Sequence, residues 1–487
     1  MSLRLDQLRL ENTYAHLGEA FGTPVRPTPL PRPYPVAYNP DVARLLGLEE
    51  QPQDSAWVEL VSGQASHPTG QSFAMVYAGH QFGVYVPRLG DGRAVLLGEA
   101  RDASGTLWDL HLKGAGPTPY SRGGDGRAVL RSSIREYLAC EALHALGIPT
   151  TRALCLVGSD LPLYREEVET AASLVRVAPT HVRFGTFEYL SHTQRHAELA
   201  QLADYVIQRC LPALAALPDA DRPAALFEEA VSRTAELIAA WQAVGFCHGV
   251  LNTDNLSILG QTLDYGPYGF VEGFVPGFVP NHSDHRGRYA LDQQPTIGLW
   301  NLTRLGEALL PLVPEPRLIS LLETYPPRVE AAYLKRMRQK LGLTTAQEED
   351  WSLVQDGLGV LAEQETDYTR FFRALGGQAL DEAPLQAELH DPAAIRPWLQ
   401  RYRARLAQEP LAPIERQRRM DAVNPRYVLR THLAEEAIRA AADARDFSAL
   451  ERLHQVLRRP FEEQPGQARY AEAPPASARH LMLSCSS

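Results

Sequence analysis

The stretch between Gly245 and Gly266 limits the possible folds of this chain more than any other part of it. It reads Gly245-Phe246-Cys247-His248-Gly249-Val250-Leu251-Asn252-Thr253-Asp254-Asn255, then a short apolar hairpin, then Asp264-Tyr265-Gly266. Just before it, Phe227, Val231, Ile238 and Trp241 recur at helical spacing and predict an amphipathic helix over 223–244. A packed helix therefore delivers a loop that carries a His-Gly turn, an Asp-Asn pair and a second Asp. Carboxylates and a side-chain amide in that pattern suit a hydroxyl nucleophile and a divalent cation, the two needs of phosphate chemistry.

The first part of the chain has a different texture. Strand signals occur at 73–77, 94–99 and 107–113, with Asp102-Ala103-Ser104-Gly105 turning between the last two. In the third, alternation sends Trp108, Leu110 and Leu112 to one face and Asp109, His111 and Lys113 to the other, so Lys113 is expected to face away from the packed side. Ile134, Leu138, Ala142 and Ala145 predict a helix over 133–146, stopped by Gly147 and Pro149, and further strands are expected near 153–157 and 172–177. Seven prolines in 23–40, several at alternate positions, forbid a helix there and favour an extended strap over a neighbouring surface. Beyond about residue 190 the periodicity is helical, including 302–310 and 430–442. The expected organisation is α+β and two-lobed: 1–190 as strap plus strand-rich lobe, 191–460 as a helical lobe opening with the Asp-Asn loop, and 461–487 as a tail carrying Cys485.

A lysine on a strand, a glutamate on the next helix, then Asp-Asn and Asp-x-Gly, is the order of a protein-kinase-like fold. Lys113 would hold phosphate oxygens, Glu136 would orient Lys113, and Asn255 with Asp264 would hold the metal. Each piece has a second reading: a solvated strand-end lysine, a Ser133-x-x-Glu136 capping box, a β-turn at Asp264-Tyr265-Gly266-Pro267. Gly79-His80-Gln81-Phe82-Gly83, Gly90-Asp91-Gly92-Arg93 and Gly123-Gly124-Asp125-Gly126-Arg127 could each bring backbone N–H groups to a phosphate, or be plain hairpin turns. Aligning His248 with the histidine of the kinase His-Arg-Asp motif puts Asn255 at the metal-binding asparagine and Val250 at the catalytic aspartate. Valine accepts no proton, so that duty must pass to Asp254 or be absent.

Seven ordered blocks then resemble one family. Tyr77-Ala78-Gly79-His80-Gln81-Phe82-Gly83, Leu89-Gly90-Asp91-Gly92-Arg93-Ala94, His111-Leu112-Lys113-Gly114-Ala115-Gly116, Ser121-Arg122-Gly123-Gly124-Asp125-Gly126, Ser132-Ser133-Ile134-Arg135-Glu136-Tyr137-Leu138, the 246–255 loop and Leu263-Asp264-Tyr265-Gly266-Pro267 look like the selenoprotein O family, the bacterial YdiU proteins. Asn281-His282-Ser283-Asp284, Asn424-Pro425-Arg426-Tyr427 and Cys485-Ser486-Ser487 extend the match over essentially the whole chain. The resemblance implies a kinase-like fold that binds ATP in a flipped orientation and moves AMP to protein Ser, Thr or Tyr hydroxyls with Mg2+ or Mn2+. By position it implies nucleotide binding by Gly90, Gly92, Arg93, Lys113, Asp125, Gly126, Arg176 and Arg183. It implies Asp254 as proton acceptor, and Asn255 and Asp264 as metal ligands. A conventional kinase, a UMP transferase and an inactive nucleotide-binding scaffold are the competing readings. Taken alone, Arg176 and Arg183 could be surface arginines pairing with carboxylates.

Composition narrows the partners. A formal net charge of -10 argues against nonspecific binding to nucleic acid or anionic membranes. The absence of a long apolar run and of a signal-peptide core at Met1-Ser2-Leu3-Arg4 sets the cytoplasm as the expected compartment. Five cysteines without regular spacing predict neither a zinc site nor a disulfide framework. Cys485 falls where eukaryotic relatives of the resembled family carry selenocysteine, which suggests a redox or regulatory tail.

Overall fold

The computed structural model describes residues 2–377, 382–475 and 478. Its first part is built on a nine-stranded antiparallel sheet. The main strands are β1 (Gly22–Pro24), β2 (Pro33–Tyr38), β3 (Phe73–Met75), β4 (Ala94–Arg101), β5 (Leu107–Lys113), β6 (Arg152–Tyr164) and β7 (Val168–Ala178). They lie in the order β1-β3-β4-β5-β7-β6-β2, and the short pieces Leu10–Glu11 and Ala128–Val129 add to β4 and β7.

The proline-rich strap ends as the sheet edge. In β2, Pro33 stands opposite Ser159 and Pro35 opposite Val157. Proline has no N–H to give a ladder and is tolerated only where no further strand follows, so the composition of the strap sets its place.

Lys113 does not face an unpacked side. Leu110 and Leu112 pack with Val95, Leu154 and Val175 on one face, while Asp109, His111 and Lys113 are buried on the other. At Lys113 that second face meets α1 (Leu130–Ala145), the helix that carries Glu136, while Asp109 is met by His181 and Arg209 and His111 by Asp91. Strict alternation of apolar and polar residues normally marks a half-solvated strand. Here the polar face is buried because its charges meet partners rather than water.

Helix α1 begins three residues before the expected start, so Ser133 lies inside it and gives its hydroxyl to the Val129 carbonyl at 2.9 Å. The capping-box alternative for Glu136 is therefore not formed. The longer helices that follow include α2 (Phe184–His192), α3 (His196–Cys210), α4 (Arg222–Val244), α5 (Gln294–Ala308) and α6 (Tyr325–Lys340). Helix α4 packs against α3, α5 and α6, and buries Phe227, Val231, Ile238 and Trp241 as their spacing predicts. Each such side chain contributes about 1.5–3 kcal/mol by leaving water. Gly245, in the left-handed region at φ 73°, ends α4 and turns the chain into Phe246–Cys247, which pairs with Gly269–Phe270.

The last regular elements return to the sheet. Helices α7 (Thr431–Ala444) and α8 (Ser448–Leu457) pack on each other and on α1. Between α6 and α7, a separate helical cluster centres on Leu353, Phe371, Trp398 and Tyr402. Cys140, Cys155 and Cys247 are buried free thiols; Cys485 lies outside the described residues. Among the described residues no helix is long and apolar enough to cross a membrane.

Candidate active site

A cleft of about 620 Å³ opens between the sheet and the loops that follow α4. Its walls include Gly90, Gly92, Arg93, Lys113, Asp125, Gly126, Arg176, Arg183, Asp254, Asn255 and Asp264, so eleven of the twelve candidate residues converge on one space. The twelfth, Glu136, is wholly buried behind the wall.

Sheet register explains part of this convergence. Arg176 stands opposite His111 and Leu174 opposite Lys113 across β5 and β7, which places both cations on the face covered by α1. Glu136 reaches down from α1 between them. Its Oε2 accepts from Lys113 Nζ at 2.5 Å, and its Oε1 accepts from Arg176. Arg176 also pairs with Asp264 Oδ1 at 2.8 Å, and Asp264 is held in turn by Arg183. Five buried or cleft-lining charges thus alternate in sign: Lys113, Glu136, Arg176, Asp264, Arg183. Arg176 and Arg183 are not surface arginines.

The electrostatics follow from that order. Burial acts first on Lys113 and lowers it to about 8, against the pull of Glu136 and with the push of Arg93 and Arg176. Burial would raise Glu136, but Arg176 and then Lys113 bring it down to about 2. Asp264 falls well below the carboxylate range because Arg183 and Arg176 outweigh its desolvation. Arg93, also buried, is lowered by burial and by Arg176.

Asp264 sits at φ 58°, on the hairpin that closes against the His-Gly turn. His248 makes that closure: its Nε2 meets the Leu263 carbonyl at 2.9 Å, its N–H donates to Gln294, and its ring stacks on Trp241. Arg183, immediately before α2, also donates to the Asp254 carbonyl at 2.7 Å and lies over the Tyr77 ring. Asn255 donates its amide nitrogen to the Val250 carbonyl at 2.8 Å, which leaves the amide oxygen as its available donor to a cation. Asp125 pairs with Arg165 at 2.8 Å and accepts the Arg127 N–H at 2.9 Å, at the outer rim of the cleft.

Asp254 differs from Asp264. It lies in the 3-10 turn Thr253–Asn255, and burial pushes its carboxyl up to about 7, above the pull of Gln81 and Arg183.

Sequence reading left several contributors unassigned. Asp91 lines the cleft, takes the Met75 N–H at 3.0 Å and pairs with His111 at 3.0 Å, so it fastens the Gly90–Gly92 turn to the sheet. Two N–H groups of the Gly79–Gly83 turn are spent on the loop after α4 rather than offered to a phosphate. His80 N–H goes to Thr253 Oγ1 at 2.7 Å, and Phe82 N–H goes to Asn252 at 3.2 Å and to the Tyr289 hydroxyl at 2.9 Å. Of the two readings the sequence offered for this block, the hairpin turn is the one formed, with Gly79–Gln81 paired to Val84–Val86.

The family model described as protein adenylyltransferase SelO matches residues 4–458. The chain belongs to the SelO family. Among relatives called protein nucleotidyltransferase YdiU, one from Myxococcus xanthus is 56% identical over 99% of each chain. Another, from Thioalkalivibrio sulfidiphilus, is 52% identical over 99% of this chain and 100% of its own. A third, from Azotobacter vinelandii, is 51% identical over 99% and 100%. The solved structure of ROP2 from Toxoplasma gondii, described as having a protein-kinase fold and no enzymatic activity, covers 68% of this chain and 85% of its own at 14% identity, with a TM-score of 0.23. The SelO family is an enzyme family of nucleotidyltransferases, and in this member the lysine-bearing sheet, the Glu136 helix and the Asp254–Asp264 loops meet at one cleft.

Proposed function

We propose that this SelO-family chain transfers AMP from ATP to the hydroxyls of protein Ser, Thr or Tyr side chains and releases pyrophosphate. One observation carries the reading: the only carboxylate of the 248–255 loop is Asp254, which lines the cleft beside Asn255 and Asp264, while a valine stands at the kinase base position. A carboxylate so placed is the group within the loop that can accept the proton of an attacking hydroxyl. The hydroxyl oxygen attacks the α-phosphorus, the bond to the β-phosphate bridging oxygen breaks, pyrophosphate leaves, and the hydroxyl proton passes to Asp254.

Lys113, Arg176 and Arg183 give the cleft three cations for the phosphates, with the guanidiniums suited to bidentate contact. Gly90, Gly92, Arg93, Asp125 and Gly126 would complete the nucleotide site. Asn255 and Asp264 offer a neutral and an anionic oxygen, which fits Mg2+ or Mn2+ held jointly with phosphate oxygens and water. No group of three or more His, Cys, Asp or Glu side chains suited to a metal occurs among the described residues, so a cation here would lean on the nucleotide. When bound, such a cation would neutralise charge on the phosphates. The names of the YdiU relatives support protein as the acceptor.

The test incubates the protein with Mg2+ or Mn2+ and ATP labelled at the α or the γ position, then reads labelled protein. Label from the α position only is expected. Label arriving only from the γ position would show a kinase, and bound ATP with no transfer would show a scaffold. Competition with UTP would decide between AMP and UMP transfer.

A further inference from the structure

The hairpin formed by Gly79–Gln81 and Val84–Val86 crosses from the strand-rich part of the chain onto the loop after α4. It grips three consecutive residues there: Asn252 and Thr253 through the backbone N–H groups of Phe82 and His80, and Asp254 through the side chain of Gln81. His80 adds a 2.7 Å contact to the buried Glu188 on α2. The approach is close enough to exclude side chains. A Cβ on Gly79 would stand 2.6 Å from Asp254 Oδ1, and one on Gly185 would stand 2.1 Å from the Ala78 carbonyl oxygen.

The two oxygens of Asp254 are therefore unlike. Oδ1 is sealed against Gly79, fully buried, and without a hydrogen-bond partner among the described residues. Oδ2 accepts from Gln81 Nε2 at 3.0 Å, and both Gln81 and Asp254 line the cleft. A carboxylate oxygen has more than one lone pair, so Oδ2 can hold the Gln81 N–H and still receive a proton from the cleft.

We infer that Oδ2 is the oxygen that takes the acceptor hydroxyl's proton, and that Gln81 is a positioning residue that fixes Oδ2 for that transfer. This rests on Asp254 being the proton acceptor. A carboxylate free to turn about its terminal torsion would present Oδ2 in the productive direction only part of the time, because that torsion is soft. Gln81 removes this freedom, and it does so without touching the nucleotide-binding cations.

The test compares the wild type with Gln81→Met, which keeps the size and loses the donor, Gln81→Glu, which sets a carboxylate against Asp254, and Asp254→Ala. Transfer of α-label to protein gives kcat and KM for ATP, and calorimetry gives nucleotide affinity. Val84→Ser, at an exposed position of the same hairpin, reports on loss of hairpin structure alone. Gln81→Met is expected to lower kcat roughly 10- to 100-fold with KM and nucleotide affinity within about twofold, the scale of a misplaced catalytic group. Gln81→Glu is expected to lose at least as much, and Val84→Ser to stay at the wild-type rate. An unchanged kcat in both Gln81 variants, with Asp254→Ala dead, overturns the role of Gln81 and leaves the proton acceptor in place. An active Asp254→Ala overturns both. Equal losses in Val84→Ser and Gln81→Met would reduce Gln81 to a fold contact and overturn the inference.

Discussion

Lys113 and Lys340 are both buried lysines at the last position of a regular element, β5 in one case and α6 in the other, and their surroundings differ in kind. Lys113 has Glu136 at 2.5 Å and two arginines beyond it. Lys340 has aromatic faces, Phe372 at 4.4 Å and Tyr368 at 5.1 Å, and no carboxylate partner among the described residues. Burial lowers the first to about 8 and the second to about 7. Along the run Lys113, Glu136, Arg176, Asp264, Arg183 each charge is answered by one of opposite sign, so removing either carboxylate leaves cations short of a partner. Around Lys340 only π faces answer the ammonium, which recovers part of the desolvation cost. Paired charge makes a rigid, interdependent site; unpaired charge makes a local weakness.

Three substitutions test that contrast. Asp264→Ala removes a proposed metal ligand and strands Arg176 and Arg183. It should reduce transfer by about 10²–10³-fold or more, read as α-label incorporated at saturating ATP. Full activity would remove Asp264 from the mechanism. Glu136→Gln leaves Lys113 and Arg176 short of their shared anion and should lower the unfolding free energy by about 3–5 kcal/mol, measured by urea titration. Unchanged stability would mean that the pairs recover no more than they cost.

The smallest effect should have the opposite sign. Lys340→Met replaces an unpaired ammonium with a chain of similar size and should raise stability by about 1–3 kcal/mol. Its dependence on pH follows from the direction of the shift. The folded-state value is about 7 and the ordinary value is 10.5, so the unfolded chain binds more protons between them and wild-type stability rises over that window. The advantage of Lys340→Met should therefore be full below pH 7 and shrink towards pH 10.5. An advantage independent of pH would place its origin in packing.

Much of the site was legible without coordinates. Lys113, Glu136, Asp254, Asn255 and Asp264 were readable because residue type and order along the chain carry their chemistry, and α4 was readable because a period of 3.6 is a local property. The face of Lys113 was misread because alternation says which residues share a side and not what covers that side. Gln81 was missed because an amide in a glycine-rich turn has no distinctive spacing, and its partner lies 173 residues away.

The sequence by itself determined the succession of a strand-rich part and a helical part, the extended form of the proline-rich strap, the helix that ends at Gly245 and the residue types that could handle phosphate. Tertiary structure alone decided that Arg176 and Arg183 bind Asp264, that α7 and α8 return to cover α1, and that the 79–86 hairpin rests on Asp254. The physical reason is range. Periodicity, turn chemistry and propensity act over a few residues, whereas ion pairs across β5, β7 and α1 depend on sheet register, and the hairpin contact on close approach at two glycines.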